Sequence, residues 1–217
     1  MPSEILPEVF VTNGQLFESQ GNYTKALDNY SKALEKEPAN EAALLSTASL
    51  YLRQGHLEQA NEFFTKAISV NPRAETFNEL ALVQQKQGLH ADAQASIGQA
   101  IARAPQSLLY RNNLANMLVS VGRSDEAVKQ LEQVLAPAQA NYNVACLHFS
   151  NNNLAAAQQH LQIALQADPN LVDARQLMDR IVSNPTTKTA IAAYQNAAEV
   201  YRAVGQSSAA GPVTTIR

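Results

Sequence analysis

The sequence predicts an all-α chain built from repeated helix hairpins, and three observations carry that prediction. First, small residues recur at a fixed period: Ala26, Ala60, Ala93, Ala127 and Ala157 are separated by 34, 33, 34 and 30 residues. A period of this size is the mark of a repeat architecture. Second, each alanine is followed at +4 and +7 by residues of one kind: Tyr30/Ala33, Phe64/Ala67, Ile97/Ala100, Leu131/Val134 and Leu161/Ala164. Those offsets share one helix face, and small–large–small on that face lets another helix come close. Third, the runs are punctuated. Gly21, Gly55, Gly88 and Gly122 precede them, and Pro38, Pro72, Pro105 and Pro169 stop them, because proline cannot continue a helix.

The elements follow in order. Residues 1–6 form a lead. Pro7 suits a first helical turn, with Glu8 near the positive helix end. Five hairpins are expected at 7–40, 41–73, 74–107, 108–137 and 138–171. Their first helices carry Phe10, Gly14 and Phe17; Leu44, Ala48 and Tyr51; Phe77, Leu80, Ala81 and Gln84; Leu114, Ala115 and Leu118; and Val144 and Ala145. The fourth period is four residues short. Pro137 cannot lie inside a helix, so the second helix of that hairpin is expected to end near Leu135 or Ala136. A loss of about one turn, roughly 6 Å, keeps the inward face and reads as a tolerated deletion; the competing reading is altered curvature near Tyr142. Residues 172–183 continue as an eleventh helix. Residues 187–204, with Ile191, Tyr194, Ala198 and Tyr201 in helical phase, are expected to form a twelfth. One or both would cap the last core face. The tail 205–217 has no period and is expected to be disordered.

The landmarks of residues 7–171 resemble those of the tetratricopeptide repeat. The resemblance implies a right-handed α-solenoid with a concave groove. Departures exist: the chain has no tryptophan, and Asn13, Arg111, Asn141 and His148 stand at landmark positions that are usually apolar.

Composition narrows the function classes. The chain has 217 residues, net charge −3 and 16% charged residues. No basic stripe points to nucleic acid. The first ten residues lack a basic n-region, and no 18-residue apolar run could span a membrane. The expectation is a cytoplasmic monomer without direct membrane insertion. Its single cysteine, Cys146, excludes an internal disulfide. Asparagine and glutamine number 18 and 20, and amides both donate and accept hydrogen bonds.

No catalytic, metal or cofactor site is expected. His56 and His90 fall in turns. His148 and His160 lie on different helices of one hairpin, without ligating partners one turn away. Cys146 and His148, two apart on a helix, point apart, so no nucleophile–base pair forms.

What remains is binding. The resemblance implies that first-helix side chains line the groove. The candidates are Leu45, Ser49 and Leu52; Asn78, Leu82 and Gln85; Asn112, Asn113, Asn116 and Val119; and Tyr142, Asn143 and Phe149. Glu8, Val11, Gln15, Glu18, Lys86, Arg53 and Cys146 lie in the same register, with Arg53 and Lys86 expected to be isolated, solvated cations. Some family members hold C-terminal carboxylates with a Lys–Asn pair. Those places hold Val11/Gln15, Leu45/Ser49, Asn78/Leu82 and Asn112/Asn116 here, so that clamp is not expected. The expected function is a non-enzymatic scaffold docking an extended peptide or partner helix. One alternative is an assembly factor for a bacterial pilus or secretion complex, since residues 124–149 and 168–181 are loosely similar to TadD-type proteins. Another is a self-assembling structural protein.

Overall fold

A computed structural model describes residues 5–183. The expected twelfth helix, the tail and most of the N-terminal lead lie outside those residues. The described chain is all helix: α1 (Pro7–Ser19), α2 (Tyr23–Lys36), α3 (Glu41–Arg53), α4 (Leu57–Val70), α5 (Ala74–Lys86), α6 (His90–Arg103), α7 (Leu108–Ser120), α8 (Ser124–Leu131), α9 (Pro137–Ser150), α10 (Leu154–Ala167) and α11 (Val172–Ser183). The described residues form two compact units, divided inside α7 between Met117 and Leu118.

Local chemistry sets the helix ends. Pro7 and Pro137 start α1 and α9, where a missing N–H costs nothing. The side chains of Asn22, Asn40 and Asn153 accept from the backbone N–H groups of Lys25, Ala43 and Ala156 at 3.2, 3.0 and 3.2 Å, satisfying otherwise orphaned donors. Between the two helices of each hairpin the chain turns through one left-handed residue. Gly21, Gly55, Gly88 and Gly122 have φ of 74–79°, and Asn152 takes the same place in the fifth hairpin at 57°. The next N–H reaches back five residues to close the turn, as from Asn22 to Phe17 at 2.8 Å and from Asn153 to His148 at 2.8 Å.

The small–large–small face is the core. Ala26, Tyr30 and Ala33 are fully buried, as are Ala60, Ile97, Ala100, Leu131, Leu161 and Ala164. In the first unit, α1 packs on α2, α3 on α4 and α5 on α6; α2 meets α3 and α4 meets α5. In the second, α8 meets α9, α9 packs on α10, and α10 meets α11. Gly14 shows why α1 needs a small residue: a Cβ there would lie 2.4 Å from Cε1 of Tyr30.

One boundary differs from expectation. Helix α8 ends at Leu131, not near Leu135 or Ala136. It has 8 residues where α2 and α4 have 14. Residues 132–135 turn instead, with the N–H groups of Val134 and Leu135 both donating to the Leu131 carbonyl at 3.0 and 2.9 Å. Pro137 fixes where α9 begins. Ala136 before it is extended, with ψ of 152°, as a residue preceding proline must be. The chain needs that turn to reverse direction, so the missing residues come out of the helix.

Candidate functional site

Each unit carries an open cleft on its first-helix side. In the first unit it measures about 450 Å³ and is lined by Gln15, Glu18 and Ser19 of α1 and Leu45, Ser46, Ser49 and Arg53 of α3. Glu18 is its electrostatic centre. One carboxylate oxygen accepts from Tyr30 Oη at 2.6 Å, and the other pairs with Arg53. Arg53 also lies over the Tyr23 ring, 5.9 Å from its centroid. It is therefore not the isolated cation expected from sequence, because the facing helix brings a carboxylate to it. Burial raises the pKa of Tyr30, while a hydrogen bond with Ser46 opposes that shift.

In the second unit the cleft measures about 390 Å³ and is lined by Tyr142, Cys146 and Phe149 of α9 and Asp173, Gln176, Leu177 and Arg180 of α11. Tyr142, Phe149 and Leu177 form its apolar floor, packed on a core of Ala145, Leu161, Ala174 and Ile181. The Arg180 guanidinium lies 4.8 Å from the Phe149 ring centroid. Desolvation pushes Tyr142 up to about 12, with a Cys146 hydrogen bond and the Asp173 charge adding to it. Burial likewise raises the Cys146 thiol, so the cysteine is held as a neutral thiol rather than activated.

The candidates are distributed unequally. Leu45 and Ser49 meet in the first cleft, and Tyr142 and Phe149 in the second. Leu52 packs on the Phe64–Leu80 cluster and Leu82 on the Ala81–Ile97 cluster. Asn78 is only 4% exposed, and its Oδ1 accepts from Asn113 Nδ2 at 2.6 Å; this amide pair ties α5 to α7. Val119 is buried. Gln85, Asn112, Asn116 and Asn143 are half-buried.

Sequence reasoning missed Asp173, Gln176 and Arg180 because it treated 172–183 as a cap. A signal was present. Ala174 and Ile181 follow Ala140 and Leu147 by 34 residues, so α11 keeps the register of a first helix and turns its groove positions toward α9. Three of the polar departures from the repeat pattern, Arg111, Asn141 and His148, are satisfied. Arg111 Nε donates to the Pro105 carbonyl at 2.9 Å. Asn141 Nδ2 donates to the Pro137 carbonyl at 3.0 Å, and His148 Nε2 lies 2.8 Å from Ser124 Oγ. Among the described residues no group of three or more His, Cys, Asp or Glu could hold a metal ion, and no helix is long and apolar enough to cross a membrane.

Family models of the tetratricopeptide repeat match residues 18–80 and, in two overlapping spans, 78–143 and 113–172. The chain belongs to the tetratricopeptide-repeat family. A TPR repeat-containing thioredoxin, TTL4 of Arabidopsis thaliana, is 32% identical over 117 residues, which is 52% of this chain and 17% of that protein. The chain thus spans a small part of that relative. Among solved structures, YrrB, described as a TPR protein with an unusual peptide-binding site, is similar with a TM-score of 0.58 at 22% identity, over 77% of this chain and 89% of that one. PilF of Pseudomonas aeruginosa is similar with a TM-score of 0.57 at 17% identity, over 85% and 88%. Both likenesses are of fold.

Proposed function

We propose that this chain is a non-enzymatic interaction scaffold that docks an extended peptide or partner helix in the clefts of its first-helix faces. The observation that carries this reading is the cleft between α9 and α11. It joins an apolar floor to an exposed guanidinium that stacks on Phe149, while Arg53 in the other cleft is already paired with a carboxylate. Such a surface takes an apolar side chain on Tyr142, Phe149 and Leu177 and an acidic group beside Arg180. Peptide recognition by YrrB is consistent with the same use of the fold. PilF lends no pilus role, since its likeness is of fold alone.

The test is peptide selection from a displayed random library on immobilised protein. Alanine at Tyr142 and Phe149 is a poor control, because both side chains pack on the core. Arg180→Glu and Ser49→Arg change exposed positions instead. The expected result is a selected family with an apolar and an acidic residue, lost on Arg180→Glu at unchanged melting temperature. Equal selection by wild type and both variants refutes the reading.

Self-association is a second reading, favoured by α1. Val9 and Leu16 are 47% and 54% exposed, whereas the residues 34 positions later, Ala43 and Leu50, are fully buried. A constant monomer mass across a wide concentration range rejects it.

A further inference from the structure

The fifth hairpin hides a polar cluster behind its docking face. Asn141 and His148 stand on α9 at landmarks that are usually apolar, and His160 faces them from α10. The two imidazole rings stack, 5.4 Å between centroids and 14° from parallel. Both histidines are buried, at 6% and 8% exposure. His148 Nε2 lies against Ser124 Oγ at 2.8 Å, and His160 Nδ1 against Asn141 Oδ1 at 3.1 Å. The amide nitrogen of Asn141 donates to the Pro137 carbonyl, so its oxygen faces His160 and can only accept. His160 therefore carries its neutral-state proton on Nδ1, and Nε2 is the atom that takes a second one. Tyr142, Cys146 and Phe149 line the cleft from the other side of the same helix.

The geometry points to a proton-operated latch: the stacked His148–His160 pair holds α9 on α10 while both rings are neutral and releases it when they gain protons. Two cations in one buried stack repel each other at close range in a medium that screens poorly. The surroundings offer little compensation. From α8, Ser124 is neutral and Asp125 is exposed; its field on His160 is outweighed by burial and by the opposing His148 charge. From α9 the facing group is the Asn141 amide. From α11, Asp173 acts on Tyr142 and Cys146. Burial lowers both imidazoles below their ordinary 6.5. The folded hairpin thus binds fewer protons than the unfolded one, and its stability is present above pH 6.5 and is lost as pH falls below it. Each histidine contributes up to about a tenfold change in the opening constant per pH unit in that window. The consequence for a docked partner, release under mild acid, rests on the groove reading above; the latch itself does not.

Hydrogen exchange on the full chain tests the latch without any partner. Protection factors for α9 and α10, corrected for intrinsic rates, should fall about tenfold or more between pH 6.5 and 5.5. Those of α3 to α6, which hold no buried histidine, should change far less. His148→Gln/His160→Gln should flatten the dependence. If that variant does not fold, ring titration of the wild type decides. His148 and His160 should stay neutral to lower pH than an ordinary imidazole. Parallel behaviour of all helices, or His148 and His160 gaining protons at the ordinary 6.5 with protection unchanged, overturns the latch. Loss of peptide selection with the hydrogen-exchange result intact would strike the groove reading alone.

Discussion

Gly14→Ala isolates the packing logic of the first hairpin, because two opposed effects meet at one atom. Alanine improves helix propensity by about 1 kcal/mol over glycine. Against that, the new Cβ would lie 2.4, 2.6 and 3.0 Å from Cε1, Cδ1 and Cζ of Tyr30. Carbon atoms pack at roughly 3.5–4.0 Å, so the ring must retreat by about 1 Å. It has nowhere to go. Tyr30 is fully buried, in a cluster with Ala26 and Leu50, and its hydroxyl is committed to Glu18 at 2.6 Å. Overpacking of a close-packed site costs typically about 1–3 kcal/mol, occasionally more. A ring that moves also surrenders a charge-assisted hydrogen bond, worth about 1.5–3 kcal/mol. The clash outweighs the propensity gain, and the net expectation is a loss of about 1–3 kcal/mol. Urea denaturation followed by far-UV circular dichroism measures it. The double variant Gly14→Ala/Tyr30→Leu should recover part of the loss, since neighbouring substitutions couple. A Gly14→Ala protein as stable as wild type, or more so, would refute the claim that Tyr30 sets the α1–α2 approach.

Two further outcomes follow from the same structure. Asn152, at φ 57°, should accept glycine with a small gain in stability, whereas Asn152→Val should cost about 1–2 kcal/mol because a β-branched residue resists that conformation; thermal melts of both variants check it, and equal melting temperatures would remove the turn from the account. Tyr142, raised to about 12 by burial, keeps its proton in the folded chain where an unfolded chain loses it near 10; stability should therefore fall as pH rises from about 10 toward 12, Tyr142→Phe should delay that fall, and a spectrophotometric titration with every tyrosine ionising together near 10 would contradict it.

Much of the fold is visible along the chain, because each hairpin is a local object. Ala26, Tyr30 and Ala33 are read as one buried face and are fully buried. Gly21 and its counterparts mark turns that need a left-handed residue, and Asn152 does the same work without being glycine. The candidate site was less legible. Leu45, Ser49, Tyr142 and Phe149 reach clefts, but Asn78 spends its amide on Asn113, and no pattern along one helix reveals which amide meets another 35 residues away. Arg53 looked solitary because Glu18 lies on a different helix.

By itself the sequence determined the class of fold, the helix pairs, the turn residues and the faces that are buried. Those depend on interactions a few residues apart and on a period that repeats them. Only the tertiary structure decided where the fourth hairpin loses its residues, that α11 completes a cleft with α9, which groove side chains are already paired, and that His148 and His160 stack. Each of those depends on the distance between side chains from different helices, and a helical repeat fixes the direction of a side chain without naming what it will face.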